Sequence, residues 1–239
     1  MHDAIDFPFD LVLFDLDGTL LETAPELADA VNDTLARLGL APVAAARVRD
    51  WIGNGVRELL VQALACAHGD TADVVRGSAQ VAHALEIFEP LYAARCGSNS
   101  WPYPGVDVLL RQWHGQGIRM AVVTNKDSRF TGLLLAHHGL ARWFERVISG
   151  DTMARKKPAP DGILDCLAHF GVAAERALFI GDSSIDVATA RNAGIPVWAR
   201  ADGYNLGQPI AKSQPDRVFT DFAALLRPRS GSEDGRRGP

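Results

Sequence analysis

The sequence predicts an α/β protein: a doubly wound, Rossmann-like parallel-sheet core with an inserted α-helical cap domain. Three observations carry that reading. Leu11, Val12, Leu13 and Phe14 form an unbroken apolar run, and a run this short and continuous reads as a strand buried on both faces. After Gly105, helical periodicity alternates with short apolar runs, the pattern of parallel strands joined by crossover helices. Between the two, from about Glu22 to Asn99, there is helical patterning and no convincing strand. The first strand has no partner near it in the chain, so it must join the later strands, and the helical section becomes an insertion. The expected division is a core of residues 1–21 and 101–227, a cap of residues 22–100 and a disordered tail of residues 228–239.

Each element has its own signal. The first cap helix opens at Thr23-Ala24-Pro25-Glu26, with Thr23 as a possible N-cap and Pro25 at an early helical position. Leu27, Val31, Leu35 and Leu38 share one face, and Gly39 ends it. Gly53-Asn54-Gly55 breaks the section and precedes a helix over 56–67; a long helix follows over 71–94. Trp101-Pro102-Tyr103-Pro104-Gly105 punctuates the chain. Helices are then expected over 106–115, 128–138, 160–170 and 185–193, and strands over 118–123, 146–149, 177–180 and 196–199. The tail is polar and rich in Gly, Arg and Ser, which cannot build a packed core.

Composition excludes several classes of function. The chain has 239 residues, is 47% hydrophobic and carries a net charge of -5. That balance offers no general attraction to nucleic acid or to an anionic membrane surface, and no apolar run is long enough to span a bilayer. Cys66, Cys96 and Cys166 are odd in number and unpaired in spacing, which argues against a disulfide framework or a zinc site and for a reducing cytoplasm. The N-terminus lacks the basic region and apolar core of a signal peptide. Oligomeric state is open between monomer and homo-oligomer.

In open α/β sheets ligands bind beyond the C-terminal ends of the strands, and polar residues gather there. Asp15 and Asp17 follow the first strand; Gly18 lets the chain turn so that both border one pocket. Thr124 and Asn125 end another strand, and Thr124 suits a phosphoryl oxygen. Lys157 directly precedes Pro158 and a helix, while Lys156 reads as a solvated loop charge. Asp182 follows Gly181, and Asp186 lies four residues on. Clustered carboxylates repel unless a cation lies between them, and a small set of hard oxygen ligands suits Mg²⁺. Lysine, hydroxyl and Mg²⁺ together are what phosphoryl transfer needs, since its catalysis is mostly positioning and charge neutralisation. His137 and His138 close a helix and read as solvated or dipole partners.

Asp15-Leu16-Asp17-Gly18-Thr19, Thr124-Asn125-Lys126, Lys157-Pro158 and Gly181-Asp182-Ser183-Ser184-Ile185-Asp186 resemble, in order, the four motifs of the haloacid dehalogenase-like phosphatases. The resemblance implies Asp15 as nucleophile and Asp17 as general acid/base. It implies that Thr124, Asn125 and Lys157 meet the phosphoryl group. Asp15, the main-chain carbonyl of Asp17 and Asp182 would hold Mg²⁺, and Asp186 would act through a bound water or orient Lys157. The helical insertion is similar to the cap of the family's bacterial phosphoglycolate phosphatases. So are Trp51-Ile52-Gly53-Asn54-Gly55, Gly150-Asp151 with Lys156-Lys157-Pro158-Ala159-Pro160, and Gly203-Tyr204-Asn205 with Ser213-Gln214-Pro215-Asp216. This implies a small phosphorylated metabolite, 2-phosphoglycolate, with Gly53, Asn54 and Gly55 touching it and substrate choice set by the insertion. Another small ester such as a sugar phosphate, or pyrophosphate, is the alternative. No lysine occurs from Glu22 to Asn99, which disfavours a Schiff-base phosphonate hydrolase.

Overall fold

The computed structural model describes residues 7–226. The run Leu11–Phe14 is strand β1, with every residue buried. The remaining elements follow in order: β2 (Leu21–Glu22), α1 (Ala24–Arg37), α2 (Ala45–Asp50), α3 (Val56–His68), α4 (Ala72–Arg76), α5 (Ala79–Arg95), β3 (Trp101–Pro102), α6 (Val106–Gly115), β4 (Arg119–Val123), α7 (Ser128–His137), β5 (Arg146–Ile148), α8 (Asp161–Phe170), β6 (Ala177–Gly181), α9 (Ser184–Ala193), β7 (Val197–Arg200) and β8 (Arg217–Phe219).

The main sheet has the order β5-β4-β1-β6-β7-β8, and all its pairs are parallel. β1 lies at its centre, with Leu13 opposite Ala121 on one side and Phe179 on the other. Side chains alternate across a strand. Val12 and Phe14 therefore pack with Leu109, Leu110 and Trp113 of α6 and Leu134 of α7, while Leu11 and Leu13 pack with Ile163 and Cys166 of α8 and Val187 of α9. Helices on both faces make the sheet doubly wound, and bury β1 without a polar position until Asp15.

The helical section leaves at β2 and returns at β3, which pair antiparallel, Leu21 opposite Pro102 and Glu22 opposite Trp101. Its helices enclose a separate apolar cluster around Leu27, Val31, Leu35, Leu60, Val81 and Phe88. Phe130 and Tyr204, from loops and helices of the sheet domain, join that cluster. The section is thus packed onto the sheet domain over the C-terminal ends of the strands.

The departures from expectation are local. The long helix expected over 71–94 is two helices, α4 and α5, broken at Gly77 and Ser78, where Ser78 is extended. The helix α2 buries only Val48; six residues give periodicity little to act on. The strands β2, β3 and β8 are two or three residues long and are set by pairing rather than by pattern. Thr23 holds the N-cap position of α1 without capping it. Its hydroxyl instead donates to Asp17 Oδ1 at 2.7 Å, a stronger, charge-assisted bond. The expected tail lies outside the described residues.

Candidate active site

Beyond β1 the backbone continues its ladder by one bond, Asp15 N–H to the Ile180 carbonyl at 2.9 Å. Leu16 then turns into the core, which leaves Asp15 and Asp17 on either side of it, both lining the cleft under the cap. Gly18 makes the turn at φ +85°, and a Cβ there would come within 2.3 Å of Asp182 Oδ2. Glycine is required on both counts.

Lys157 Nζ lies 2.7 Å from Asp15 Oδ1 and 2.7 Å from Asp186 Oδ1. Burial pushes the Asp15 carboxyl up to about 6, against the pull of Lys157 and with the push of Asp186. Lys157 is held above its usual range, because the two carboxylates outweigh its burial. The other oxygen of Asp186 accepts from Asp182 N–H at 3.1 Å, Ser183 N–H at 3.0 Å and the Ser183 hydroxyl at 2.7 Å, while Ser183 caps α9 in return. Burial alone would raise Asp186; Lys157 and these donors bring it below the carboxylate range. Both of its oxygens are thus engaged, one by Lys157 and the other by the start of α9.

Asp182 accepts from the Thr19 hydroxyl at 2.5 Å and from Tyr204 N–H at 2.5 Å. A Cβ on Gly203 would come within 2.1 Å of Asp182 Cβ, so two glycines cradle this carboxylate. Burial, then Asp186 and Asp15, raise it well above its usual range. Among the described residues no lysine or arginine pairs with it. The carboxylate oxygens of Asp15, Asp182 and Asp186 can lie within 4.8 Å of one another. Three buried acids against one lysine, with an all-oxygen donor set, fit a hard divalent cation.

Asp17 occupies a different environment. Both its oxygens lie 3.1 Å from Lys126 Nζ, and one also accepts from Thr23. Lys126 is buried, with Nζ 4.8 Å from the centroid of the Tyr92 ring, whose hydroxyl donates to the buried Glu26. Lys126 stands in the second motif, but its position there does not by itself point to Asp17. A lysine directly after a strand-end Thr-Asn pair was the available signal.

Thr124 is buried at the end of β4, and its hydroxyl accepts from Lys126 N–H at 3.3 Å. The Asn125 amide donates to Gly53 O at 3.0 Å and Lys157 O at 3.1 Å, and so ties the cap loop to the loop of Lys157. Gly53, Asn54 and Gly55 form that cap loop ahead of α3, with Gly53 and Gly55 at positive φ. Lys156 is exposed as expected, but its Nζ donates to Asn54 O at 2.5 Å. The cleft between them is lined from below by Asp15, Asp17, Thr124, Asn125 and Lys126, and from above by Leu27, Ile52, Gly53, Gly55, Val56 and Leu59.

A second polar cluster lies where the cap joins the sheet domain. Glu22 accepts from Arg49 and Tyr103 at 2.8 Å and from the Tyr204 hydroxyl at 2.5 Å. The Tyr204 hydroxyl in turn accepts from Thr23 and Ala24 N–H at 2.8 and 2.9 Å. One loop residue therefore bonds Asp182 through its backbone and the cap hinge through its side chain.

A family model of haloacid dehalogenase-like hydrolases matches residues 12–200. A protein named phosphoglycolate phosphatase from Pseudomonas fluorescens is 40% identical over 218 residues, 90% of this chain and 78% of the relative. One of the same name from Nitrosococcus oceani is 41% identical over 217 residues, 90% of this chain and 94% of the relative. The crystal structure of a predicted phosphoglycolate phosphatase from Haemophilus somnus superposes with a TM-score of 0.86 at 32% identity, over 92% of this chain and 98% of that one. The chain is a haloacid dehalogenase-like hydrolase: it belongs to that family by sequence, and by a fold whose strand ends carry its acidic site. Its similarity runs, within the family, to the phosphoglycolate phosphatases.

Proposed function

We propose that this chain is a Mg²⁺-dependent phosphomonoesterase that hydrolyses 2-phosphoglycolate to glycolate and phosphate through an aspartyl-phosphate on Asp15. One observation carries the reading: two carboxylates two residues apart meet two different lysines, Asp15 on Lys157 and Asp17 on Lys126. Carboxylates in separate environments can take separate roles. The relatives named phosphoglycolate phosphatase supply the substrate.

Asp15, held ionised at neutral pH beside Lys157, attacks phosphorus. Its new O–P bond forms as the bond from phosphorus to the glycolate oxygen breaks. Asp17 enters this step protonated, a proton from solvent replacing one of its contacts to Lys126; it gives that proton to the leaving oxygen and regains one from the water that cleaves the aspartyl-phosphate. Thr124 and Lys157 hold phosphoryl oxygens, and Asp186 keeps Lys157 in place. Asp15, the main-chain carbonyl of Asp17 and Asp182 would hold Mg²⁺, which when bound neutralises charge on the phosphoryl oxygens. The insertion, residues 22–100, serves as the cap that excludes water. No helix among the described residues is long and apolar enough to cross a membrane, and the three free cysteines support a reducing cytoplasm as the compartment.

A kinetic panel with Mg²⁺ tests the reading. 2-Phosphoglycolate should have the highest kcat/KM among small phosphate monoesters and pyrophosphate. A hexose phosphate or pyrophosphate turned over more efficiently would overturn it.

A further inference from the structure

The cleft has a polar floor and an apolar roof, and this bears on how a carboxylate could be recognised in it. Among the described residues, those that line the roof are Leu27, Ile52, Gly53, Gly55, Val56 and Leu59, and none carries a charge. Lys156 reaches the outer edge of the roof loop at Asn54 but does not line the cleft. Lys157 is engaged at the other end by Asp15 and Asp186. The cation of the cleft on the side of Asp17 is Lys126.

We infer that Lys126 is the residue that selects a carboxylate-bearing leaving group, so that specificity for 2-phosphoglycolate resides in the floor of the cleft rather than in the cap. The inference rests on the function proposed above. Its argument is the size of the leaving group. The oxygen that receives a proton from Asp17 is joined through a single methylene carbon to the carboxylate. Any group that holds Asp17 against that oxygen therefore lies within reach of the carboxylate as well. Lys126 Nζ has three protons to donate. It meets the two oxygens of Asp17 at 3.1 Å each and the face of Tyr92 at 4.8 Å from the ring centroid. The buried Tyr92 ring closes the far side of the ammonium, and both contacts to Asp17 are longer than a charged hydrogen bond usually is, so a substrate carboxylate in the cleft can claim a proton of Nζ on the side that Asp17 and Lys126 line. Glu26 lies behind Tyr92 and is within electrostatic reach of Lys126, but its oxygens accept from Tyr92 and from Gly97 N–H rather than from Lys126. The apolar roof strengthens the contact by keeping water from it.

The test is made on the full-length enzyme with Mg²⁺, using two substrates that differ at one group: 2-phosphoglycolate and 2-hydroxyethyl phosphate. Any loss of Asp17 positioning affects both alkyl leaving groups and cancels in their ratio. The wild type should prefer 2-phosphoglycolate in kcat/KM. Lys126→Gln should reduce that preference by roughly tenfold to a hundredfold, the worth of one charged hydrogen bond, and the reduction should appear in KM. Lys156→Gln, at the rim, should leave the preference in place. If Lys126→Gln lowers kcat alike on both substrates and keeps their ratio, Lys126 only positions Asp17 and the inference is overturned. It is also overturned, without any variant, if the wild type turns over both substrates equally well. A wild type that hydrolyses an aryl or hexose phosphate but neither of these two would instead bring down the proposed substrate itself.

Discussion

The floor and the roof of the cleft are built on opposite plans. The floor concentrates Asp15, Asp17, Lys126 and Asp182 just beyond β1, β4 and β6, Lys157 in the loop before α8 and Asp186 in the first turn of α9, all but Asp17 buried. The roof meets it with aliphatic side chains and glycines, and is fastened by donors from the floor and the rim to its carbonyls, Asn125 to Gly53 and Lys156 to Asn54. Charge belongs on the floor because buried carboxylates must be held at fixed positions, and strand ends in a doubly wound sheet are the stiffest places available. The roof brings no charged side chain to the cleft, so none has to be desolvated or paired there.

The largest expected effect is on the floor. Asp15→Asn should remove nearly all turnover with 2-phosphoglycolate while leaving the circular dichroism spectrum and the melting temperature close to wild type, because Lys157 keeps Asp186 as its partner. Normal turnover would show that the chemistry does not start at Asp15. Asp17→Asn follows. A general acid contributes on the order of 10²–10⁴ in rate, and the loss should be much smaller with an aryl phosphate, whose leaving group needs no proton. Mg²⁺ affinity, followed by titration calorimetry, should barely change, since only the main-chain carbonyl of Asp17 is assigned to the metal. A large fall in affinity would exchange the roles of Asp17 and a metal ligand.

The floor was largely legible in the sequence, and the roof and hinge were not. Asp15, Thr124 and Asp182 stand directly after buried strands, where an unbroken apolar run makes a polar residue conspicuous, and strand ends can be placed from periodicity alone; Lys157 lies in the loop between β5 and α8 and is marked by Pro158 and the helix that follows. What joins cap to core leaves no such trace. Glu22, Tyr103 and Tyr204 are far apart in the chain, and nothing local to any of them announces a shared hydrogen-bond cluster. Asn125 was read as a phosphate contact, yet its amide nitrogen binds two carbonyls, Gly53 and Lys157; a side-chain amide gives no sign in sequence of where it turns. The break at Gly77 and Ser78 between α4 and α5 went unread because one glycine in a helical pattern is tolerated often enough not to end it.

The hinge offers a third test, read in stability rather than rate. Glu22→Gln removes the charge that holds Arg49, Tyr103 and Tyr204, and should cost about 1–3 kcal/mol by urea denaturation. It should also change the response to acid. Burial raises the Glu22 carboxyl, but the bonds from Arg49, Tyr204 and Tyr103 outweigh it and leave it below its usual range. A depressed folded-state value gives stability that is fully present above the ordinary carboxylate range and is lost as pH falls through the folded value. The gap between wild type and Glu22→Gln should therefore be widest near neutrality and close in acid. A gap that does not change with pH would mean that Glu22 acts by packing and not by charge.

The smallest expected effect is on the roof, and it separates the two halves of the cleft. Gly55 stands at φ +88° ahead of α3, and a Cβ there would lie 3.0 Å from Lys156 Nζ and 3.4 Å from the Asn125 carbonyl. With ψ at 165° the residue lies in a region essentially confined to glycine, where an L-residue costs roughly 1–3 kcal/mol, and the nearer neighbour is the end of a flexible side chain that can swing aside. Gly55→Ala should thus lower stability by about that amount and disturb closure only mildly. If the roof acts by shape and water exclusion, KM should rise by a similar, small factor for 2-phosphoglycolate and for 2-hydroxyethyl phosphate, because both need the same closed cap. If instead the backbone N–H groups at the start of α3 grip the substrate carboxylate, the rise should fall on 2-phosphoglycolate alone. The first outcome keeps recognition of the leaving group on the floor with Lys126; the second moves it to the glycine loop.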